Sequence, residues 1–496
     1  MIKHSLIKPD TIESRIYQEN ILNTAIRKNT LCVLPTGLGK TTLAVLVSAY
    51  RLENFPEKKI LVMSPTRPLC AQHQKYFRKT LDINEKEIML ITGFIRPEDR
   101  KELYKKARII IATPQTIRND IQNQIIDMND FSLLIFDECH RAVKDYSYTF
   151  VAREYKKVKD NLILGLTASP GSTKEKIDEI CRNLLIESVE IRTETDEDVK
   201  PYMKKIKIDW IRVDLPENLK NAQENLKIAL KKRIDKLKEF NIHIKRQRDL
   251  LDAQKRISKR INTEKKPILF YVITKIVEAI KIWHLLELLE TQSVNSTRKY
   301  LEKIRLKKTR SDKGILADED FKKAIKIIES SEEHPKIKKL KEVIEKEIEN
   351  KEISIIIFSH FRDNIHYIQS ILKPICSSAI LIGQAGEKGL SQKEQIGIIK
   401  DFNAGVYNCL ITSPIGEEGL HIPSADLAIF YDSVPSEIRT IQRRGRVGRT
   451  KVGRIIFLLT RKTRDEAYYW TSYRREKKMK TILKDMQESK SISDFI

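Results

Sequence analysis

Three short stretches bring together residue types that could bind and cleave a phosphoanhydride. The first is PTGLGKT, residues 35–41, set between the apolar run LCVLPT and the helical pattern TTLAVLVSAYRL. A glycine-containing turn there exposes backbone N–H groups at a helix N-terminus, where they cradle phosphate oxygens. Thr36, Gly37, Leu38, Gly39 and Thr42 would line that cradle. Lys40 would reach the β- and γ-phosphates, and the Thr41 hydroxyl would ligate magnesium. The expected cofactors are therefore ATP and Mg2+. The longer G-x-x-x-x-G-K-[ST] form would need glycine at 34, where Leu34 stands.

The second stretch is DECH, 137–140, at the end of the run FSLLIFDE. A carboxylate at a strand's C-terminal end can hold the metal, directly or through water, which suits Asp137. Glu138 beside it is placed to orient and deprotonate the attacking water. The third is QRRGRVGR, 442–449. Arg446 and Arg449 would share one helical face and could meet the charge developing on the γ-phosphate, with Gln442 at the head of the same stretch. These arginines lie far along the chain from Lys40. Catalysis would then need two parts of the molecule to close on each other, coupling hydrolysis to motion.

The elements that must position these residues are legible. Short Ile-, Leu- and Val-rich runs at 31–36, 59–66, 108–114, 131–138 and 161–169 alternate with amphipathic stretches. Strands apolar on both faces, separated by helices, predict a parallel sheet covered on both sides. The pattern recurs at 353–360, 378–384, 407–413, 426–432 and 453–460. Between the two, residues 205–345 are Lys- and Glu-rich with apolar residues at helical spacing, as in IVEAIKIWHLLELLE (276–290), which predicts a helical insert. Segment 231–260 holds 12 basic and 4 acidic residues, and is read as a phosphate-facing surface. The fold class expected is α/β: lobe 1 over 1–204, an all-helical insert over 205–345, lobe 2 over 346–478 and a tail over 479–496.

Composition narrows the class further. Lys and Arg total 93 against 68 Asp and Glu, a formal net charge of +25, which favours a polyanionic partner. The six cysteines, at 32, 70, 139, 181, 376 and 409, include no close pair, so reduced thiols are expected, neither disulfide framework nor zinc site. No stretch approaches 18 uncharged apolar residues and the N-terminus carries no secretory run, so a soluble cytoplasmic protein with no membrane partner is expected.

In order along the chain, RIYQ (15–18), PTGLGKT, SPTRPL (64–69), ATPQT (112–116), DECH, TASPG (167–171), IIIFSHFR (355–362), TSPIGEEGL (412–420) and QRRGRVGR resemble the motifs of DExH-type superfamily 2 helicases. That superfamily uses the shorter T-G-x-G-K-T turn. FDECHRAVKDYSY, LTASPGSTKEKI, VKPYMKKI (199–206), GLSQKEQ (389–395), YDSVPSEIRTIQRRGRVGR and TRDEAYYW (463–470) narrow the resemblance to the archaeal Hef helicases and their FANCM-type relatives. The likeness covers nearly the whole chain, insert included.

The resemblance implies two RecA-like lobes flanking the insert. It implies that Gln18 reads adenine and Arg15 stacks on it, and that Glu417 and Gly419 sit in a loop between nucleotide and strand. Pro65, Thr66, Arg67, Thr113 and Pro114 would be the first lobe's strand contacts. Ser359, His360, Gly383, Gln384 and Thr412 would be the second lobe's. Thr167, Ala168 and Ser169 would link hydrolysis to those contacts. The chain departs from the family at Cys139, where Ala is usual, and at His421, where Asp is usual; the latter puts the sugar contact in doubt.

The function implied is ATP-dependent 3′–5′ translocation on forked or branched DNA, in fork repair and recombination. Two readings stand beside it: a duplex-RNA-dependent ATPase of the RIG-I or Dicer type, and a non-catalytic branched-DNA adaptor. No ERK-x-x-x-D signature is present, so cutting would fall to a separate nuclease. In the tail SKSISDFI, Ile492, Phe495 and Ile496 have the spacing of a sliding-clamp-binding peptide.

Overall fold

The computed structural model describes residues 4–203, 207–349, 353–384, 389–413, 425–433 and 453–493. Seven parallel strands form the first sheet: β1 (Thr30–Val33), β2 (Lys59–Met63), β3 (Ile88–Ile91), β4 (Ile109–Ala112), β5 (Phe131–Asp137), β6 (Ile163–Thr167) and β7 (Ser188–Ile191). Their order is β3-β4-β2-β5-β6-β1-β7. Every residue of the central strand β5 is buried, as both faces of a helix-covered parallel sheet require. The order places β1, followed by the PTGLGKT turn, two strands from β5, followed by DECH.

The second sheet contains β8 (Lys207–Val213), β9 (Ile355–Phe358), β10 (Ser378–Leu381), β11 (Cys409–Thr412), β12 (Leu427–Phe430) and β13 (Arg454–Thr460), in the order β10-β11-β9-β12-β13-β8. Strand β8 lies inside the range read as helical insert. It pairs in parallel with the whole of β13 at the sheet edge. Three of its seven residues are exposed and none is buried, so charged residues interrupt the apolar pattern and hide the strand in KIKIDWIRV.

The insert is helical over Glu217–Lys238, Gln247–Glu264, Pro267–Thr291, Val294–Lys307, Arg310–Leu316 and Glu319–Ser330. It has its own core, with Leu226, Ile276, Ile282 and Phe321 fully buried. The helix Pro335–Ile348 instead packs Ile337, Leu340 and Ile344 against the second sheet. A buried polar joint fixes insert to lobe. Lys336 Nζ lies 2.8 Å from Asp465 and 3.1 Å from Thr291 O, and the Gln292 amide donates to Asp432 at 3.2 Å.

Segment 231–260, read as a phosphate-facing surface, divides between buried, ion-paired and exposed cations. Arg233 is buried and bonds Glu278 at 3.1 Å and also Asp318. Lys232, Lys236, Lys238, Arg248 and Arg260 lie within ion-pair reach of nearby carboxylates. Lys255, Arg256 and Lys259 remain exposed on the helix Gln247–Glu264.

The boundary expected between 478 and 479 also moves. One helix runs Arg464–Ser493. Its first turns belong to the second lobe, where the Tyr469 ring packs on Phe457. Further along, Met479 and Leu483 are buried in the core of the first lobe. The backbone of 489–493 continues this helix; Phe495 and Ile496 of the expected clamp peptide lie outside the described residues. Among the described residues, no helix is long and apolar enough to cross a membrane.

Candidate nucleotide cleft and nucleic-acid interface

The turn after β1 takes its shape from two glycines. Gly37 has φ 93° and Gly39 φ 74°, conformations that disfavour a side chain. Gly39 precedes the helix Lys40–Asn54, so the turn sits at a helix N-terminus, the positive end of the helix dipole. A Cβ on Gly39 would lie 2.4 Å from Gln18 Nε2. The Lys40 ammonium folds back to Leu34 O at 3.1 Å, and Thr42 Oγ1 meets Tyr76 Oη at 2.7 Å.

Two buried atoms here lack a partner: Thr36 Oγ1 and Gln18 Oε1. Buried polar groups are normally satisfied. A nucleotide that offers donors to Gln18 and acceptors to the turn fits this pattern. Arg15 lies with its guanidinium 5.4 Å from the Tyr202 ring, and donates to Tyr17 Oη at 3.2 Å; Tyr17 in turn donates to Leu38 O at 2.9 Å. Sequence reading missed Tyr202. It stands far from the motifs in the chain, in the short turn Lys200–Tyr202.

Asp137 ends β5 and is buried. Its Oδ2 accepts from the Ser64 hydroxyl at 2.9 Å and meets His73 Nε2 at 2.9 Å. Burial alone would push this carboxyl up. The adjacent His73 ring and the two hydrogen bonds outweigh it, with a smaller contribution from Lys40, and hold it below its ordinary value. Asp137 offers one carboxylate and Thr41 one hydroxyl. That set suits magnesium, which usually completes its octahedron with phosphate oxygens and water. Ser64 and His73 were not found in the sequence, since their partner is set by tertiary contact between β2, its following helix and β5.

Glu138 adopts a left-handed backbone, φ 49°, which turns its side chain off the strand direction. The bend is braced by Tyr148 Oη–H, 2.7 Å from Asp137 O and 3.1 Å from Met63 O. Glu138 Oε2 lies 3.2 Å from His140 Nδ1, and that same nitrogen lies 3.1 Å from Thr167 Oγ1. Thr167 Oγ1 accepts from the Ser169 N–H at 3.1 Å. The DECH and TASPG stretches are therefore joined by one direct bond, His140 to Thr167. Cys139, at the position of the family's Ala, is fully buried; a Cβ on Gly165 would lie 3.3 Å from its sulfur. Burial raises its thiol well above the ordinary value, so it is inert packing.

The turn, Asp137 and Glu138 face a cleft of about 2090 Å³. Its other walls include Gln392 and Lys393 at the start of the helix Gln392–Asn403, Ile208 and Ile455 of the second sheet, and Glu476, Met479 and Lys480 of the C-terminal helix. Glu417, Gly419, His421, Gln442, Arg446 and Arg449 lie outside the described residues.

On the first lobe, Thr66 and Thr113 precede the helices Arg67–Thr80 and Pro114–Gln122. Pro65 is half-buried just before the first of these and Pro114 is buried at the start of the second. Thr66 Oγ1 is buried without a partner, while Thr113 Oγ1 meets Thr116 Oγ1 at 2.8 Å. Arg67 and Thr113 line a groove of about 650 Å³. On the second lobe the expected set divides. His360 and Gln384 are exposed. Ser359, Gly383 and Thr412 are buried: Ser359 Oγ bonds Asp432 at 3.2 Å, Gly383 O accepts from Arg362 at 3.0 Å, and Thr412 Oγ1 bonds Leu381 O at 3.2 Å. These three shape the loops behind the surface. Asp432, which also accepts from the His360 N–H at 2.7 Å, is the organising residue that the sequence did not mark.

Comparison with known proteins places this arrangement. Residues 15–177 match the DEAD/DEAH box helicase family and 335–451 the helicase conserved C-terminal domain. Residues 218–335 match the family described as "Putative ATP-dependent RNA helicase, helical bundle". A Methanocaldococcus jannaschii protein named "Putative ATP-dependent RNA helicase" is 44% identical over 98% of this chain and 62% of its own length. The Fanconi anemia group M protein homolog of Mus musculus is 31% identical over 93% of this chain and 25% of its own. The ATP-dependent DNA helicase fml1 of Schizosaccharomyces pombe is 31% identical over 92% and 58%. The chain thus spans less than two thirds of each of these relatives. The crystal structure of the Pyrococcus furiosus Hef helicase domain superposes with a TM-score of 0.73 at 40% identity, covering 94% of this chain and all of that one.

Proposed function

The chain belongs to the superfamily 2 helicases of the Hef and FANCM type, and we propose that it is an ATP-driven translocase that tracks 3′ to 5′ on forked or branched DNA. The observation that carries the reading is Lys40, Asp137 and Glu138 lining one two-lobed cleft, with His140 behind Glu138 at 3.2 Å and bonded in turn to Thr167. When bound, magnesium supplies charge neutralisation for the β- and γ-phosphates. Thr41 and Asp137 hold it, and the N–H groups of the turn orient the phosphates. Glu138 takes the proton of the attacking water. Arg446 and Arg449 complete the site from the second lobe, with Gln442 beside them, and Glu417 and Gly419 carry the state of the nucleotide toward the strand.

On this reading the strand lies across Pro65, Thr66, Arg67, Thr113 and Pro114 on one lobe and His360 and Gln384 on the other. Because phosphate contacts dominate, sequence preference is slight and affinity falls steeply with salt. A separate nuclease, and a sliding clamp held by the tail, are the protein partners this reading suggests.

The names of two matches favour RNA, so the test must carry both acids. ATPase rate is measured with single strand, duplex, fork and four-way junction, each as DNA and as RNA. Forked or branched DNA as the strongest activator supports the proposal. Duplex RNA as the strongest activator replaces the substrate, and full remodelling by Lys40→Ala removes the motor in favour of an adaptor.

A further inference from the structure

We infer that Phe94 is a stacking platform for an unpaired nucleobase, set at the mouth of the first-lobe groove. The inference rests on the nucleic-acid reading above and adds a binding site that none of the motif residues supplies.

Phe94 is 79% exposed, more than any other aromatic side chain among the described residues. It follows β3 in the sequence TGFIRP, beside a groove of about 650 Å³ that Arg67, Arg96, Thr113, Gln115 and Asn119 also line. The ring does not hang loose. The Arg67 guanidinium sits 4.0 Å from its centroid and covers one face, a favourable cation–π contact. The loop beneath is fixed as well. Ile95 N–H donates to Thr92 O at 3.0 Å, and Arg100 donates to Ile95 O. Arg100 is itself clamped by fully buried Asp120, with Nε to Oδ2 at 2.8 Å, and Tyr104 Oη–H donates to the same carboxylate at 2.6 Å.

An exposed ring on a rigid loop, closed on one face by a cation and open on the other, is pre-organised for one more flat partner. The surroundings choose that partner. The groove carries Arg67, Arg96 and the positive end of the helix Pro114–Gln122, which attract phosphate. Phe94 is the one exposed large hydrophobic side chain that lines this groove, and it stands beside Arg67 and Arg96, so it fits a base attached to a charged backbone better than a protein surface. Paired bases are stacked within their duplex and cannot use it.

The test is equilibrium binding without nucleotide, using a fluorescent-labelled deoxyadenosine single strand, the same strand with abasic sites, and a blunt duplex. The native protein should bind the base-bearing strand roughly tenfold better than the abasic one. Phe94→Ala should remove that ratio and leave duplex affinity unchanged, while Phe94→Trp keeps it. Equal binding of base-bearing and abasic strands by the native protein, or an unchanged ratio in Phe94→Ala, overturns the inference. The measurement needs no turnover. A Phe94-dependent ratio without strand-stimulated ATPase would keep this site and remove the motor; stimulated ATPase without the ratio would do the reverse.

Discussion

The Ser169 hydroxyl lies 3.0 Å from the Met479 sulfur, so the TASPG stretch of the first lobe rests on a helix that emerges from the second. Ile191 N–H donates to Gln487 at 3.1 Å and Lys484 pairs with Asp196 at 3.1 Å on the same helix. The chain from Glu138 through His140 and Thr167 to Ser169 thus ends on a strut between lobes. Met479→Ala should cost roughly 2–4 kcal/mol for a buried methionine, speed amide exchange along 476–487, and lower strand-stimulated turnover more than basal turnover. Unchanged exchange and unchanged stimulation would show that the strut transmits nothing.

Glu138→Gln keeps the shape of the site and removes the base. ATP hydrolysis should fall by about 10²- to 10⁴-fold, with nucleotide binding retained by fluorescence of a labelled ATP analogue. Lys40→Ala should instead lose binding. Retained hydrolysis in Glu138→Gln would place the base elsewhere.

His73→Gln tests what holds Asp137 ionised. The native carboxyl sits below its ordinary value of 3.8, so its folded-state pKa is depressed. The stability it contributes is present above that ordinary value and is lost as pH falls through the lower folded value. Gln offers a hydrogen bond without the ring's charge, so burial gains ground and the carboxyl rises. The acid limb of turnover, and the magnesium requirement measured there, should move to higher pH. An unmoved limb would mean that Ser64 alone suffices.

Gly39→Ala and Gly37→Ala both force a side chain into a left-handed turn, at roughly 1–3 kcal/mol. Only Gly39→Ala also drives a methyl into Gln18 Nε2. It should lose nucleotide affinity further than Gly37→Ala in paired titrations. Equal losses would separate Gln18 from the turn.

In the insert, Arg233→Ala would leave buried Glu278 with Lys275 alone and half-buried Asp318 with Lys232 alone, and should cost up to about 3 kcal/mol in urea melts. Arg256→Ala, on the exposed face, should leave the melt unchanged and reduce the salt dependence of DNA binding by about one phosphate contact. The opposite pattern would return Arg233 to the nucleic-acid face.

What the sequence disclosed follows from where each signal resides. The PTGLGKT turn and the DECH strand end are local: periodicity and glycine placement mark them without tertiary knowledge. The insert was legible for the same reason, because apolar residues at helical spacing fill its core. Strand β8 was not, since an edge strand alternates charge with Ile and Trp and leaves no apolar run. Ser64, His73 and Tyr148 brace the site from neighbouring elements and carry no motif of their own. The division among Ser359, Gly383 and Thr412, buried, and His360 and Gln384, exposed, depends on how loops stack over β9 to β11. Spacing alone does not report that.

The most direct test of the two-lobed catalytic cleft is single-turnover ATP hydrolysis by Arg449→Ala on saturating forked DNA, beside an equilibrium measurement of ATP affinity. The account predicts affinity within a few-fold of native and a hydrolysis rate lower by about 10³-fold or more. Native single-turnover hydrolysis in that variant would contradict it, because the first lobe would then be sufficient for the chemistry.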